Sequence, residues 1–156
     1  MREMISSEAM EHAPTQASQA TLESLVAACH SECLMCGPEN PQGLKLRFRV
    51  QPDNSVLAMF SCRKALRSYP ETLHGGVISA VLDAAMTNAL FAIGVVGVTA
   101  ELTVRFLAPI ALNRGAVVRG WVENDACPLF YLRAKLEQDG KQMAQATAKF
   151  VVKHGG

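Results

Sequence analysis

One aspartate lies within an apolar stretch of the chain, a short distance after a histidine. His74 is followed by two glycines and an apolar run that reaches Asp83, and no lysine or arginine occurs in residues 68–104. An ionised carboxylate in such surroundings is costly unless it is hydrogen-bonded, solvated in a cleft or raised in pKa. Asp83 is therefore predicted to be a functional carboxylate, either a general base or a nucleophile. The alternative is a buried aspartate that backbone groups or water satisfy.

Helical spacing places the polar residues near Asp83 on one narrow stripe. Gly76, Ser79, Asp83 and Thr87 follow one another at steps of three or four residues. The glycines at 75 and 76 open this helix, where free N–H groups carry the positive end of the helix dipole. A ligand carbonyl can approach such a terminus closely, which predicts an oxyanion hole. The alternative for the glycine pair is a plain turn between a strand and a helix.

The spacing of Gly75 and Asp83 also predicts an oligomer. The eight helical residues between these positions correspond to about 12 Å along the axis. A reacting centre needs both groups within roughly 3 Å, so one chain cannot place both at a single carbonyl. Two antiparallel copies of the helix, related by a two-fold axis, would create two mixed sites. We therefore expect an obligate homodimer, or a dimer of dimers, with shared active sites.

The elements that position this segment follow from the periodicity of the apolar residues. Residues 76–93 are apolar nearly all round and contain no proline, which predicts a helix buried on most sides. Alternating apolar residues predict six strands, two before this helix and four after it. Small inward residues in the last strand, at 144, 146 and 148, let a sheet curl closely around a helix. The predicted fold class is α+β, an antiparallel sheet of about six strands wrapped around one long buried helix.

The predicted strands lie at residues 44–51, 56–62, 99–106, 116–123, 130–137 and 144–152. In the third of them the apolar alternate positions, including Leu102 and Phe106, are expected to face the core. Residues 1–20 are polar and aperiodic and are predicted to be disordered. Residues 21–153 form a single predicted domain, which begins with an amphipathic helix capped by Thr21.

Composition and charge exclude several classes of protein. With 49% hydrophobic and 19% charged residues, the 156-residue chain can bury a sizeable core and is not disordered as a whole. The net charge of +1 and basic strands without interleaved aromatic residues argue against nucleic-acid binding. Polar residues interrupt the apolar stretch at 77–100, which favours a core helix over a membrane span. The lack of a signal peptide and the five cysteines predict a reduced, cytoplasmic protein.

Three segments of the chain, taken in order, resemble a known family. The His74-Gly75-Gly76 segment with an acid at 83 is similar to the signature of hotdog-fold acyl-CoA thioesterases of the phenylacetate-pathway and 4-hydroxybenzoyl-CoA type. Residues 36–44 (CGPENPQGL) and 103–109 (TVRFLAP) are similar to further segments of that family. The resemblance extends over residues 33–153 and implies the hotdog fold. It also implies hydrolysis of a fatty or aromatic acyl-CoA to a free acid and CoA, without a metal or other cofactor.

The resemblance further implies a role for each residue of the motif. The Gly75 N–H would polarise the thioester carbonyl, and Asp83 of the partner subunit would attack it or activate the attacking water. Thr87 matches a position that orients water or the carboxylate in some members. His74 would orient the loop rather than act as a base; the alternative is a satisfied buried histidine.

Substrate-binding candidates follow from the same resemblance and from the charge pattern. Ser68 occupies the position, six residues before the histidine, where members of this branch often carry an asparagine or glutamine that assists at the carbonyl. The phosphates of CoA require basic residues near the mouth of the site, and residues 45–67 hold six bases against one acid. The predicted substrate-binding residues are Gly76, Ser68, Ser79, Arg63, Lys64, Arg67 and Arg114.

Two alternatives remain at the level of sequence. A hotdog module that binds acyl-CoA without chemistry, as a sensor or carrier, would have the same fold, although Asp83 argues against it. A hydratase on this fold is disfavoured, because the hydratases resemble a different arrangement of aspartate and histidine.

A cysteine cluster near the N-terminus suggests a metal site only weakly. Cys29, Cys33 and Cys36 have His30 nearby, a combination that zinc accepts. However, a lone CxxC pair lacks the second pair of most structural zinc sites, and Cys36 already belongs to the family-like loop. The sequence therefore predicts no metal.

Overall fold

The computed structural model describes residues 15–153, which form two helices and one sheet. The order along the chain is α1 (Gln19–Cys29), β1 (Arg49–Val50), β2 (Val56–Ser61), α2 (Gly75–Ala92), β3 (Gly97–Phe106), β4 (Gly115–Asn124), β5 (Leu129–Gln138) and β6 (Lys141–Val152). A short 3-10 helix, Lys64–Leu66, lies between β2 and α2. All strand pairs are antiparallel, in the spatial order β1-β2-β4-β5-β6-β3. The predicted α+β class, with six strands and one long helix, is confirmed.

Helix α2 forms the centre of the hydrophobic core. Val81, Leu82, Met86 and Leu90 on this helix are completely buried. Burying a side chain of this size contributes about 1.5–3 kcal/mol relative to leaving it exposed. Among the described helices, α2 alone is long and apolar enough to cross a membrane, yet 67% of its most apolar window is buried within the fold. It is a core helix, as the sequence predicts.

The sheet approaches α2 most closely at a glycine of β4. A Cβ atom added to Gly120 would lie 2.5 Å from the carbonyl oxygen of Ala85, so no larger residue fits without a shift of the helix. The predicted inward alanines of β6 are also buried, with 0%, 3% and 5% of their surfaces exposed at residues 144, 146 and 148. Small residues on β4 and β6 therefore let the sheet wrap around the helix.

The strand predicted at residues 44–51 is paired with the sheet only at Arg49 and Val50. Leu44 and Leu46 instead donate their N–H groups to the preceding loop, to the carbonyls of residues 34 and 35, at 2.9 Å each. Lys45, with a φ of 52°, lies in the left-handed region and interrupts the regular extended backbone. The predicted inward residues of this segment nevertheless face the core, since Leu46 and Phe48 are both buried.

Helix α1 begins two residues earlier than predicted. Ser18 is its N-cap, because its side chain accepts a hydrogen bond from the Thr21 N–H at 3.3 Å. Thr21, the predicted cap, therefore lies within the first turn. The Ser18 N–H also donates to the Ala92 carbonyl at 2.8 Å, which attaches the start of α1 to the end of α2. Of the segment predicted to be disordered, residues 1–14 lie outside the described residues.

Strand β3 differs from the prediction in its burial. It is the last strand of the sheet and pairs only with β6. Leu102 and Phe106, predicted to face the core, are 37% and 55% exposed, and Val98 and Leu107 are 48% and 49% exposed. The outer edge of β3 has no neighbouring strand among the described residues, and these side chains remain exposed in the single chain. The described chain thus carries an apolar edge strand, which we call the β3 edge (residues 97–107).

Candidate active site

His74 organises the beginning of α2. It is the N-cap residue, and its Nδ1 accepts a hydrogen bond from the Gly76 N–H at 2.8 Å. Its carbonyl accepts the first intrahelical bond, from the Ile78 N–H at 3.0 Å. An Nδ1 that accepts must be unprotonated, so the neutral ring carries its proton on Nε2. The ring is exposed, which excludes the alternative of a buried histidine.

The two glycines after His74 offer different groups to a ligand. The Gly76 N–H is already bound to the His74 ring. The Gly75 N–H has no acceptor among residues 15–153 and lies at the positive end of the helix dipole. Gly75 therefore carries a free backbone donor at this helix terminus among the described residues, whereas Gly76 helps to hold the cap.

Asp83 lies in the third turn of α2 and is half-buried. Its Oδ1 accepts a hydrogen bond from the Thr99 hydroxyl of β3 at 2.7 Å. Burial raises the pKa of Asp83 above its usual value, while the Thr99 hydrogen bond and the nearby His30 partly offset this shift. The carboxylate is thus held in one orientation and made more basic than an exposed one, which suits a general base or a nucleophile.

The sequence does not predict the contact between Thr99 and Asp83. The contact joins residues 16 positions apart, across the connection from α2 to β3. A threonine in a β-strand is ordinary in itself, so the sequence carries no signal for this role beyond a hydroxyl on the strand that follows the helix.

The other polar residues of the α2 stripe bond to their own helix. The Ser79 hydroxyl donates to the Gly75 carbonyl, and the Thr87 hydroxyl donates to the Asp83 carbonyl, at 3.0 Å each. Thr87 is also 8% exposed. In this structure the hydroxyl that donates a hydrogen bond to the Asp83 carboxylate is that of Thr99, not that of Thr87.

Three of the predicted phosphate-binding residues lie together before α2. Arg63, Lys64 and Arg67 flank or begin the 3-10 helix, are exposed, and make no ion pair with any residue in 15–153. The Leu66 carbonyl accepts the His74 N–H at 2.9 Å, which holds this segment against the start of α2. The structure therefore brings three free cations to the same end of the helix as the Gly75 N–H.

The remaining two candidates have partners of their own. Arg114 forms an ion pair with Asp139 at 2.8 Å. Ser68 donates both its N–H and its hydroxyl to the Thr72 carbonyl, at 2.9 and 3.4 Å, and so closes the loop before His74. In the isolated chain the side chains of both residues are therefore already held by partners within the protein.

One chain contains two separate half-sites. The first consists of the His74 cap and the Gly75 N–H, and the second of Asp83 with Thr99. Both lie on or against the continuous helix α2, eight residues apart, which corresponds to about 12 Å. The second half-site of one chain therefore cannot act on a carbonyl held by the first.

Comparisons with known proteins agree with this fold. The Thioesterase superfamily model matches residues 71–124, a stretch that contains α2, β3 and β4. No curated protein matches the chain.

Several solved structures are similar over most of the chain. A thioesterase superfamily protein has a TM-score of 0.73 and 23% identity, with 78% of this chain and 60% of that one covered. The chain thus spans three fifths of the length of that relative. A putative thioesterase of Ralstonia eutropha JMP134, described as phenylacetic acid degradation-related, has a TM-score of 0.64 and 25% identity, covering 70% and 86%. A hypothetical thioesterase of Streptococcus pneumoniae TIGR4, solved with coenzyme A, has a TM-score of 0.65 and 17% identity, covering 69% and 88%.

Proposed function

This chain has the hotdog fold of thioesterase superfamily proteins, and from that premise we propose that it hydrolyses an acyl-CoA thioester to a free acid and CoA. The observation that carries the proposal is the pair of half-sites on α2, a free N–H at Gly75 and a half-buried carboxylate at Asp83 that Thr99 holds. The thioesterase family match supports the reaction class. The relative solved with coenzyme A supports a CoA ester as the substrate.

The proposed enzyme is a homodimer with active sites shared between subunits. Strand β3 lies beside both half-sites, because Thr99 contacts Asp83 and a Cβ at Gly75 would lie 3.5 Å from the Phe106 ring. Antiparallel pairing of two β3 edges would set the Thr99 end of one strand against the Phe106 end of the other. This pairing brings the Asp83 half-site of each subunit toward the Gly75 half-site of its partner. It also covers the exposed apolar residues of β3.

Each half-site has one chemical task in this proposal. The Gly75 N–H donates to the thioester oxygen and stabilises the negative charge that develops there. Asp83 of the partner subunit either takes a proton from the attacking water or attacks the carbonyl carbon itself. If water attacks, the C–S bond breaks and the acid is released directly; if Asp83 attacks, the C–S bond breaks to leave a mixed anhydride on Asp83, which a water molecule then hydrolyses to the free acid. On either route CoA leaves as a thiolate that acquires a proton. Thr99 orients the carboxylate as a positioning residue.

The basic segment before α2 would bind the CoA portion. Arg63, Lys64 and Arg67 are free of ion pairs among the described residues, so their charges are available to the pyrophosphate and 3′-phosphate. Arg114 contributes less in this proposal, because Asp139 already neutralises it.

Release of free thiol from a panel of acyl-CoAs tests the proposed reaction. The panel includes short, medium and long chains together with phenylacetyl-CoA and benzoyl-CoA. We expect turnover of at least one ester by the wild type and a loss of about 10²–10⁴-fold in Asp83→Asn, the effect of removing a general base. Glu71→Gln, a change of an exposed acid before His74, is the matched control and should retain activity. Binding of CoA esters without turnover of any of them would favour the non-catalytic module.

A further inference from the structure

Three potential metal ligands lie together outside the α2 half-sites. The donor atoms of His30, Cys33 and Cys36 are all within 4.8 Å of one another. His30 Nδ1 and Cys36 Sγ lie 3.6 Å apart. These residues come from the end of α1 and the loop that follows it. The mechanism proposed above uses none of them.

The backbone of this loop holds the three residues in place. The Cys33 N–H donates to the His30 carbonyl at 3.0 Å, and the Gly37 N–H donates to the Cys33 carbonyl at 2.9 Å. The Met35 N–H donates to the Cys33 sulfur at 3.4 Å. A Cβ at Gly37 would lie 2.3 Å from the Cys33 nitrogen, so the turn requires glycine at this position. The cluster is therefore built by local turns.

The distances fit a tetrahedral zinc ion. Bond lengths of about 2.3 Å to sulfur and about 2.0–2.1 Å to nitrogen separate a sulfur and a nitrogen ligand by about 3.5 Å, and two sulfurs by about 3.8 Å. The observed separation of His30 Nδ1 and Cys36 Sγ, 3.6 Å, matches the first value. The Cys33 sulfur needs to close by at most about 1.3 Å, which a small side-chain rotation provides.

The surroundings of the cluster also suit a bound ion. The His30 ring packs edge-on against Phe91 of α2, with the ring centroids 4.8 Å apart, and this contact fixes its orientation. Asn88 is 1% exposed, and its Oδ1 has no hydrogen-bond partner among the described residues. Asn88 and Cys36 line the same cavity of about 410 Å³ between α1 and residues 46–49, which gives an entry path and room for water. A water on the ion would supply Asn88 Oδ1 with its missing donor.

We propose that His30, Cys33 and Cys36 bind one Zn²⁺ ion, with water beside Asn88 in the fourth position. Binding releases the two thiol protons and involves no redox step. Because His30 and the loop are held by the same ion beside Phe91, the metal would fasten the end of α1 to α2. This inference replaces the sequence-based prediction of no metal. The sequence shows a lone CxxC pair with His30 nearby, and the fold brings the His30 imidazole to 3.6 Å from the Cys36 sulfur.

Metal analysis of the full-length protein tests this site independently of catalysis. We expect about one zinc per chain after purification under reducing conditions without chelator, and removal of zinc should lower the melting temperature. Replacement by Co²⁺ should give the intense visible absorption of a thiolate-bound tetrahedral ion. Cys33→Ser, at a partly exposed ligand, should lose the zinc and the absorption. Cys29→Ser is the matched control, since Cys29 is exposed in the same region, lies outside the cluster and should leave both unchanged.

The Co²⁺ spectrum of the wild type decides the question even if Cys33→Ser fails to fold. Wild-type protein without zinc, in which Co²⁺ gives no such absorption, would overturn the proposal. A metal-free protein in which peptide mapping finds a disulfide between Cys33 and Cys36 would also overturn it.

Discussion

Gly75 and Gly76 are neighbours, yet only one of them has a free backbone donor. The Gly76 N–H is bound to His74 Nδ1 at 2.8 Å, while the Gly75 N–H has no acceptor among the described residues. Only an unoccupied donor can meet the oxyanion of a reacting thioester. Gly75 is thus the residue at which the proposed mechanism can be tested by removing a single hydrogen-bond donor.

Gly75→Pro removes this N–H and preserves the helix. Proline is favoured at the first helical position, and His74, with a ψ of 130°, has the extended backbone that a following proline requires. We expect kcat/KM for thiol release to fall by about 10²–10³-fold. Gly75→Ala keeps the N–H, and its Cβ would meet only the Phe106 ring, at 3.5 Å, so it should remain active. Equal losses in the two variants would exclude the N–H as the donor.

Thr99 should control the pH at which the enzyme loses activity on acidification. Burial raises the pKa of Asp83, and Thr99 on β3 and His30 after α1 are the groups that lower it again. The charged carboxylate is the active form, so kcat/KM rises as the pH rises through this pKa. Thr99→Val removes a hydrogen bond to the charged form and should move the acid limb of the pH profile to higher pH. Thr99→Ser keeps the hydroxyl and should keep the wild-type profile; a Thr99→Val profile that does not move would contradict the assignment.

At the scale of elements, the contact between α2 and β4 depends on one glycine. The Gly120 Cα approaches the Ala85 carbonyl so closely that an added Cβ would lie 2.5 Å from its oxygen. Gly120→Ala should therefore destabilise the fold by about 1–3 kcal/mol, the usual cost of overpacking a core. The midpoint of urea unfolding measures this loss. Gly115→Ala, on the same strand with only the end of the Met59 side chain at 4.0 Å, should leave the midpoint nearly unchanged, and a similar loss there would argue against the close approach as the cause.

The sequence predicts the elements well because their signals are local. The apolar run of α2 and the alternation in β2, β4, β5 and β6 require no knowledge of distant neighbours, and their bounds agree within a few residues. Gly120 also lies in an alternating strand, but its role depends on a helix more than thirty residues away. The shortening of β1 follows from Lys45 and from hydrogen bonds to a preceding loop, which no periodicity reveals.

The candidate site likewise contains some features that the sequence predicts and others that it does not. The His74 cap and the position of Asp83 follow from residue types at helical spacing. The contact of Thr99 with Asp83 depends on how α2 packs against β3, and such a contact between elements leaves no mark on the local pattern of the sequence. His30 and the cysteines are neighbours in the sequence, but the distance of 3.6 Å between His30 Nδ1 and Cys36 Sγ depends on the turns of the loop after α1, which spacing alone does not give.

At the scale of the whole molecule, the exposed apolar β3 edge is where a second copy is expected to bind. Leu102→Asp places a charge at the centre of this strand, where a partner strand would otherwise cover an apolar side chain that is 37% exposed in the single chain. Light scattering should show a monomer, and thiol release should be lost with the dimer. Met59→Asp, at a side chain that is 67% exposed on β2, should leave the dimer intact. A fully active monomer of Leu102→Asp would contradict shared sites.

The most direct test of the central claim, that each active site takes Gly75 from one subunit and Asp83 from the other, is the activity of a mixed dimer. Asp83→Asn and Gly75→Pro chains, carrying different affinity tags, are co-expressed and the heterodimer is isolated. Each parent homodimer lacks one group at both sites, whereas the heterodimer contains one site with both groups and one with neither. Shared sites predict about half of the wild-type activity per dimer. A heterodimer no more active than its parents would show that each site is built within one chain.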